Sequence, residues 1–203
     1  MKVNLTKIAL FASGSGTNAQ NIIQYFADNK FITIDSLWSN NPKAYALTRA
    51  QGMGVKTFVF NRHQLYETDE ILKMLQDRGI DMIVLAGFLW LVPEAIINNF
   101  KIINIHPALL PKYGGKGMYG MKVHQAVVDN KEPESGITIH YVDNIYDNGK
   151  VIFQAKCKIE PSDTPEMVAR KIHQLEYEHF PVVIENLIMN RVNNNYNTGI
   201  DVK

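Results

Sequence analysis

Asn104 and His106 are the residues of this chain whose types and spacing best suit chemistry. They lie two residues apart at the end of an apolar segment, and Pro107, which cannot donate to a strand ladder, follows directly. Side chains at i and i+2 of a strand point to the same face, so the two groups would share one strand end. A carboxamide beside an imidazole can stabilise a developing oxyanion. The same pair could instead satisfy nearby backbone groups, and spacing alone does not separate these interpretations.

A glycine-rich turn, Ser13 to Ala19, lies between the first predicted strand and a helix. Its backbone N–H groups and the positive helix end would face any occupant, which predicts a phosphate site. The turn also fits the dinucleotide pattern G-x-G-x-x-A, but that pattern requires a carboxylate after the second strand. Trp38 to Asn41 contain none, and Asp35 comes too early. The sequence favours a mononucleotide-type phosphate site over a nicotinamide site, and a tight turn without a ligand is the remaining alternative.

Two polar loops follow in the second half of the chain. Gly114 to Gly120 contains four glycines, and this segment could close over a ligand as a lid or be a flexible connector. Lys112 or Lys116 could then meet a phosphate. The loop Asp143 to Gly149 contains two carboxylates, and one of them close to His106 would stabilise the imidazolium and raise its pKa. Judged by residue type alone, turn formation explains these acids more simply.

The elements that must position these residues alternate between strands and helices. The patterns predict strands over Lys7–Ala12, Phe31–Trp38, Thr57–Phe60, Met82–Leu85, Lys101–His106, Ser135–Val142 and Val151–Cys157. They predict helices over Asn18–Asn29, Lys43–Gln51, Tyr66–Arg78 and Pro93–Asn99, and a long helix that begins at Thr164. This order predicts an α/β fold with a Rossmann-like, mostly parallel central sheet, helices on both faces and an antiparallel extension in the C-terminal half.

Composition narrows the functional class. The 203 residues predict a single domain over residues 1–190 and a loosely ordered tail over residues 191–203. With 21 basic and 20 acidic residues the chain shows no electrostatic footprint for nucleic acid or for an anionic membrane. Its longest uncharged apolar run, Met82 to Pro93, is too short to span a bilayer. Cys157 is the single cysteine, which fits a reducing compartment. We therefore expect a cytoplasmic protein that binds small molecules.

Taken together, several motifs resemble those of the folate-dependent formyltransferases. In chain order they are Ser13-Gly-x-Gly-Thr-Asn18, Leu85-Ala-Gly-Phe88, Asn104-Ile-His-Pro-x-Leu-Leu-Pro-Lys112, Gly136-Ile-Thr-Ile-His140 and Asp147-x-Gly149. The resemblance covers about residues 6 to 190, and the motif from Asn104 to Lys112 is its most specific part. It implies that the chain is an enzyme that uses 10-formyltetrahydrofolate as its formyl donor, without a metal. Within the family, the resemblance is strongest to the branch in purine biosynthesis that formylates the amine of 5′-phosphoribosylglycinamide.

The resemblance also implies roles for individual residues. The catalytic positions would be Asn104, His106 and Asp147. The acceptor would be bound by Gly16, Thr17, Asn18, His173 and Glu176, where the first three hold its phosphate. The folate would contact Leu89, Trp90, Leu91, Val92, Asn104, Asp143, Asn144, Ile145, Tyr146 and Asp147. His140 matches a second active-site histidine, whereas His63, His124 and His179 receive no role.

Two alternatives and several departures stand beside this interpretation. A formyltetrahydrofolate hydrolase has similar residues with water as acceptor, but it usually carries a further domain for which we expect no room in 203 residues. A nucleotide-binding sensor module would be favoured if His106 lacked a carboxylate partner. The segment Asn148-Gly149-Lys150 differs from the Gly-Gly-Pro run common in the family, and no arginine can be matched to a contact with the folate tail.

Overall fold

A seven-stranded sheet forms the centre of the computed structural model, which describes residues 5–194. The strands are β1 (Thr6–Phe11), β2 (Ile32–Ser39), β3 (Lys56–Val59), β4 (Met82–Leu85), β5 (Lys101–His106), β6 (Glu134–Tyr141) and β7 (Val151–Lys158). The helices are α1 (Thr17–Tyr25), α2 (Tyr45–Gly52), α3 (Arg62–Tyr66), α4 (Glu70–Asp77), α5 (Glu94–Ile97), α6 (Met121–Asp129) and α7 (Pro165–Asn194).

The order of the strands confirms the predicted fold class. The sheet reads β3-β2-β1-β4-β5-β6-β7, its first five strands are parallel, and β6 and β7 add antiparallel to β5. β4 and β5 have the predicted bounds. From β1 the sheet grows in one direction to β2 and β3, and the chain then crosses to the other side of β1 to form β4 and β5. The carboxyl ends of β1, β4 and β5 therefore lie at this switch point, where α/β folds commonly bind ligands.

Alternating side chains give the sheet a core on each face. Ile8 and Leu10 of β1 belong to one cluster of buried apolar residues, whereas Ala9 and Phe11 belong to the other. The first cluster includes residues of α1, α2, α6 and α7, and the second includes residues of α3, α4 and α5. Both faces are therefore covered by helices, which explains why the central strand β4 and β1 from Ile8 onward are continuously apolar.

Two helical predictions need correction. The single helix predicted over Tyr66–Arg78 is two short helices, because Asn61 starts α3 with a capping box and the chain turns between Tyr66 and Glu70 before α4 begins. The helix α6 was not predicted, since the preceding glycines made the whole segment resemble a loop. Its buried residues Val123, His124 and Val127 nevertheless have helical spacing.

The last helix, α7, is the longest helix among residues 5–194. Thr164 caps α7 as predicted, and its hydroxyl accepts a hydrogen bond from the Met167 backbone N–H at 3.3 Å. α7 continues to Asn194, so it includes the first residues of the predicted tail, while residues 195–203 lie outside the described part of the chain. Within residues 5–194, no helix combines the length and apolar character needed to cross a membrane.

Candidate active site

A cavity of about 510 Å³ opens at the carboxyl ends of β1, β4 and β5. It is bounded by the glycine turn after β1, the segment after β4, the end of β5, the glycine-rich residues 115–120 and α7. Ten of the predicted site residues line it: Gly16, Thr17, Asn18, Leu89, Asn104, His106, Tyr146, Asp147, His173 and Glu176. The fold thus brings together motifs that lie up to 160 residues apart in the chain.

Six residues predicted to contact the folate do not line this cavity. Val92 is buried in the apolar core, and Trp90 packs against Phe60 and Tyr66 with ring centroids 6.3 and 6.1 Å apart. Asp143 accepts hydrogen bonds from the Ile145 backbone N–H at 2.9 Å and the Asn148 amide at 3.0 Å. The full set outside the cavity lining is Trp90, Leu91, Val92, Asp143, Asn144 and Ile145.

Four polar side chains form what we call the β5 cluster: Asn104, His106, His140 and Asp147. Asn104 lies opposite His140 in the antiparallel pairing of β5 with β6. The Asn104 Nδ2 is 3.1 Å from His140 Nε2 and 3.5 Å from Asp147 Oδ1. Asp147 Oδ2 lies 3.4 Å from His106 Nδ1 and accepts a hydrogen bond from the Gly115 backbone N–H at 2.9 Å. The carboxylate from the second polar loop therefore does reach the imidazole.

Backbone carbonyls orient the two imidazole rings. His140 Nδ1 lies 2.8 Å from the Tyr141 carbonyl oxygen and donates to it, while Nε2 lies 3.1 Å from the Asn104 amide nitrogen and 3.7 Å from Asp147 Oδ1. His106 Nε2 lies 2.7 Å from the Tyr113 carbonyl oxygen and must donate to it. Of the two contacts of the Asn104 amide nitrogen, the 3.5 Å contact with Asp147 is the weaker, so that N–H is the one most readily redirected to a ligand.

Burial and the carboxylate–imidazole contact shift the pKa values of His106 and Asp147 in opposite directions. Burial lowers the pKa of His106 below its ordinary value, and nearby His140 adds to this, although Asp147 and the Tyr113 carbonyl oppose it. The upward effect expected from the carboxylate is present, but burial outweighs it. For Asp147, burial alone would raise the pKa, but contacts with His140, His106 and the Gly115 N–H together hold it below its ordinary value. The site therefore combines an ionised carboxylate with an imidazole that loses its proton easily.

The glycine turn is held in place from three directions. Ser13 Oγ donates to Asn40 Oδ1 at 2.6 Å and accepts from the Leu89 backbone N–H at 3.0 Å. Gly16 precedes α1 with a φ of 74°, and a Cβ atom there would lie 2.4 Å from the Cβ of Ala46. Glycine is therefore required at this position both by its conformation and by the close approach of α2. The N-terminus of α1 opens into the cavity, as a phosphate site would need.

A second group, which we call the α7 cluster, comprises Asn18, His124, His173 and Glu176. Burial raises the pKa of Glu176 to about 7, although a hydrogen bond with Asn18 opposes this. Burial likewise lowers the pKa of His124 to about 4, with His173 adding to the effect at a ring-centroid distance of 6.5 Å. The Asn18 Oδ1 and His124 Nδ1 atoms are buried without a hydrogen-bond partner. Such atoms are costly, and an occupant of the cavity can supply partners that the protein does not.

Sequence reasoning missed two contributors to the site. His124 was given no role because nothing in its spacing indicated a metal site, and its helical spacing with Val123 and Val127 was the available signal. Tyr113 was not singled out, and a backbone contact of this kind leaves no sequence signal. Among residues 5–194, no group of three or more His, Cys, Asp or Glu side chains is arranged to hold a metal ion.

The fold and the amide, imidazole and carboxylate at one end of its cavity define a class of group-transfer enzyme. This chain belongs to the formyl transferase family, whose profile matches residues 6–184. It is similar to phosphoribosylglycinamide formyltransferase of Haemophilus influenzae, with 36% identity over 188 residues, which is 89% of this chain and 86% of that protein. The chloroplastic phosphoribosylglycinamide formyltransferase of Arabidopsis thaliana is 34% identical over 194 residues, 92% of this chain and 66% of that protein.

Solved structures agree with these sequence relatives. The crystal structure of glycinamide ribonucleotide transformylase 1 from Geobacillus kaustophilus superposes with a TM-score of 0.82 at 34% identity, covering 91% of this chain and 100% of that one. The agreement extends over both the parallel and the antiparallel part of the sheet, because the matched share of the chain is so large. The family assignment made from the sequence motifs is confirmed.

Proposed function

We propose that this chain transfers the formyl group of 10-formyltetrahydrofolate to the amine of 5′-phosphoribosylglycinamide, a reaction of purine biosynthesis. The observation that carries the proposal is the β5 cluster, in which an amide, an imidazole and an ionised carboxylate meet at one wall of the cavity. The family and the activity named for the relatives support it. The formyl donor is a cosubstrate that supplies the carbon attacked by the amine.

Asn104 and His106 stabilise the oxygen of the formyl group as it gathers negative charge. The Asn104 N–H that is 3.5 Å from Asp147 turns to this oxygen. His106 Nε2 stays on the Tyr113 carbonyl, and its Nδ1, which lies on the Asp147 side of the ring, donates to the same oxygen. Donation from Nδ1 needs the protonated ring, which Asp147 favours although burial lowers the pKa of His106. Removing one donor of this kind typically costs about 3 to 4 kcal/mol of barrier.

Asp147 moves the proton that the amine must lose. Its pKa is held below the ordinary value, so it is ionised at neutral pH and can accept a proton directly or through water. The proton then passes to the nitrogen that loses the formyl group, which keeps the overall transfer balanced in protons. Asp147 also favours the charged form of His106, so it supports any imidazolium that forms during the reaction.

The acceptor binds between the glycine turn and α7. Backbone N–H groups of Gly16, Thr17 and Asn18, together with the positive end of α1, hold the phosphate. His173 and Glu176 contact the ribose or glycinamide part. The unpartnered Asn18 Oδ1 supports this placement, because a bound ribose or amide can supply the missing donor.

The folate occupies the side of the cavity formed by Leu89, Asn104, Tyr146 and Asp147, where apolar walls suit a flat pterin. Of the other predicted contacts, Trp90, Leu91 and Asp143 to Ile145 then form the rim, whereas Val92 is buried in the core. The Arg62 guanidinium lies over the rings of Trp90 and Tyr66 at 5.1 and 5.4 Å. It is the cation that we propose for the anionic folate tail, the contact for which sequence matching offered no arginine.

The sequence and the relatives also support two coarser proposals. We propose that residues 1–190 work as one domain, since α7 packs against α1 and α6, against β6 and β7, and so joins both halves of the sheet. We also propose that the protein acts in the cytoplasm, where a reducing environment suits the single Cys157.

An acceptor-dependent assay tests the proposed function. Purified protein is mixed with 10-formyltetrahydrofolate and 5′-phosphoribosylglycinamide, and the formylated product and tetrahydrofolate are measured together. Free glycine replaces the acceptor in one control, and buffer replaces it in another. We expect equal amounts of the two products and no reaction in either control. Formate release without the acceptor would instead indicate a hydrolase, and no turnover at all would overturn the proposal.

A further inference from the structure

Tyr113 connects His106 to a carboxylate outside the cavity. Its carbonyl oxygen accepts a hydrogen bond from His106 Nε2 at 2.7 Å, and its hydroxyl donates to Glu132 Oε1 at 2.9 Å. Glu132 follows α6 and does not line the cavity. Tyr113, which directly precedes the glycine-rich loop, therefore links the imidazole to an acid that does not line the cavity.

The backbone of Tyr113 has a conformation that is uncommon for a residue other than glycine. Its φ is 57°, in the left-handed region that residues other than glycine seldom occupy. Lys112 donates to both carboxylate oxygens of Glu132, at 3.0 and 3.1 Å. Glu132 thus binds two successive side chains immediately before Gly114. These contacts fix the backbone where its carbonyl meets His106.

The acid is suited to this task over a wide pH range. Hydrogen bonds from Lys112 and Tyr113 hold the pKa of Glu132 below its ordinary value, so its carboxylate accepts both bonds at neutral pH. The Tyr113 ring also packs against the apolar core, which leaves its hydroxyl as the part that depends on Glu132.

We propose that Glu132 is a positioning residue: by holding Tyr113 it keeps the Tyr113 carbonyl on His106 Nε2, and so sets the orientation of the ring and the nitrogen that carries its proton. The consequence for catalysis rests on the proposed function, whereas the consequence for the His106 ring does not. Without the clamp the ring would lose an acceptor that favours its protonated form.

Other groups face His106 and must be kept constant in any test. Asp147 approaches from the loop between β6 and β7, His140 from β6 and His124 from α6. None of these three groups is altered chemically, and no charge is removed, when the Tyr113 hydroxyl alone is removed. A change in His106 titration in Tyr113→Phe therefore reports the clamp and not a change in neighbouring charge.

Nuclear magnetic resonance of the full chain with labelled histidine tests the proposal. In Tyr113→Phe and in Glu132→Ala we expect the His106 titration midpoint to fall by about half to one pH unit, because the bond to the carbonyl is loosened. The signature of the Nε2-protonated neutral ring should weaken in both variants. The limb of the pH profile of kcat/KM that reports His106 should move to lower pH in parallel.

Glu134→Ala is the matched control, since Glu134 is an acid on β6 that pairs with Lys156 at 2.7 Å. It should leave the His106 midpoint unchanged, and the double variant Tyr113→Phe/Glu132→Ala should shift it no further than either single change. A wild-type midpoint in Tyr113→Phe, or equal shifts in Glu132→Ala and Glu134→Ala, would overturn the positioning role. If the wild-type protein transfers no formyl group but the His106 midpoint still falls in the two variants, the proposed function is refuted and the positioning role is kept.

Discussion

The β5 cluster and the α7 cluster line the same cavity but differ in how their polar groups are satisfied. In the β5 cluster each nitrogen of Asn104, His106 and His140 faces a partner within the protein. In the α7 cluster the Asn18 and His124 side chains each keep a buried atom without one. One cluster is organised before any ligand arrives, as stabilisation of a transition state requires, whereas the other leaves donors and acceptors for a ligand to complete.

Asp147→Asn should have the largest effect, because it removes the charge on which the β5 cluster depends. We expect kcat to fall about 10³-fold, within the range for general acid–base groups, with little change in acceptor affinity. Stopped-flow or steady-state kinetics with separate calorimetric binding of 5′-phosphoribosylglycinamide measures both. Asp129→Asn, an exposed acid on α6, is the control. Loss of binding with normal turnover would reverse the roles assigned to the two clusters.

Asn104→Leu should lower kcat by about 10²-fold to 10³-fold while the KM for the acceptor changes little. The substitution keeps a side chain of similar volume but removes the donor to the developing oxyanion. It also removes the partner of His140 Nε2, so thermal unfolding should be followed in parallel. If KM rises and kcat is kept, Asn104 serves binding and the β5 cluster is less distinct from the α7 cluster than we infer.

Glu176→Gln should change how stability depends on pH. In the folded chain the pKa of Glu176 is raised from 4.5 to about 7, so the native state holds this proton more tightly than the unfolded state. The resulting stabilisation is present below the unfolded pKa and is lost as pH rises through about 7; it amounts to about 3 kcal/mol. Urea unfolding at pH 5 and pH 8 should show a smaller difference in the variant. An unchanged difference between the two pH values would mean that burial does not raise the pKa of Glu176.

Gly16→Ala should destabilise the fold by about 2 kcal/mol, through its left-handed conformation and its contact with α2. Gly14→Ala is the control in the same turn, since a Cβ atom there would meet nothing within 4 Å and its φ is not in the left-handed region. Chemical unfolding of the two variants measures the contrast. Equal stability would show that the turn and α2 can adjust to a side chain at residue 16.

Some parts of the site were readable from local sequence and others were not. Asn104 and His106 were predicted to share a strand end because an apolar run stops at Pro107, and β5 has the predicted bounds. The glycine turn was also predicted from a short segment, because its glycines lie directly between a predicted strand and a predicted helix. The loop containing Asp147 looked like a simple turn, since only the pairing of β5 with β6 brings it to His106. The role of Tyr113 depends on the path of the chain before the glycine-rich loop. The role of His124 depends on α6, a helix that was not predicted because glycines precede it.

The sequence by itself determined the strands, the turn and the order of the family motifs, because these follow from apolar periodicity, proline and glycine within short segments. Tertiary structure decided which of the titratable side chains in the site are charged. The predicted carboxylate reaches His106, yet burial lowers the pKa of the ring and raises that of Glu176. Burial and contacts between distant segments are properties of the packed chain, so no local pattern can report which protonation state a side chain prefers.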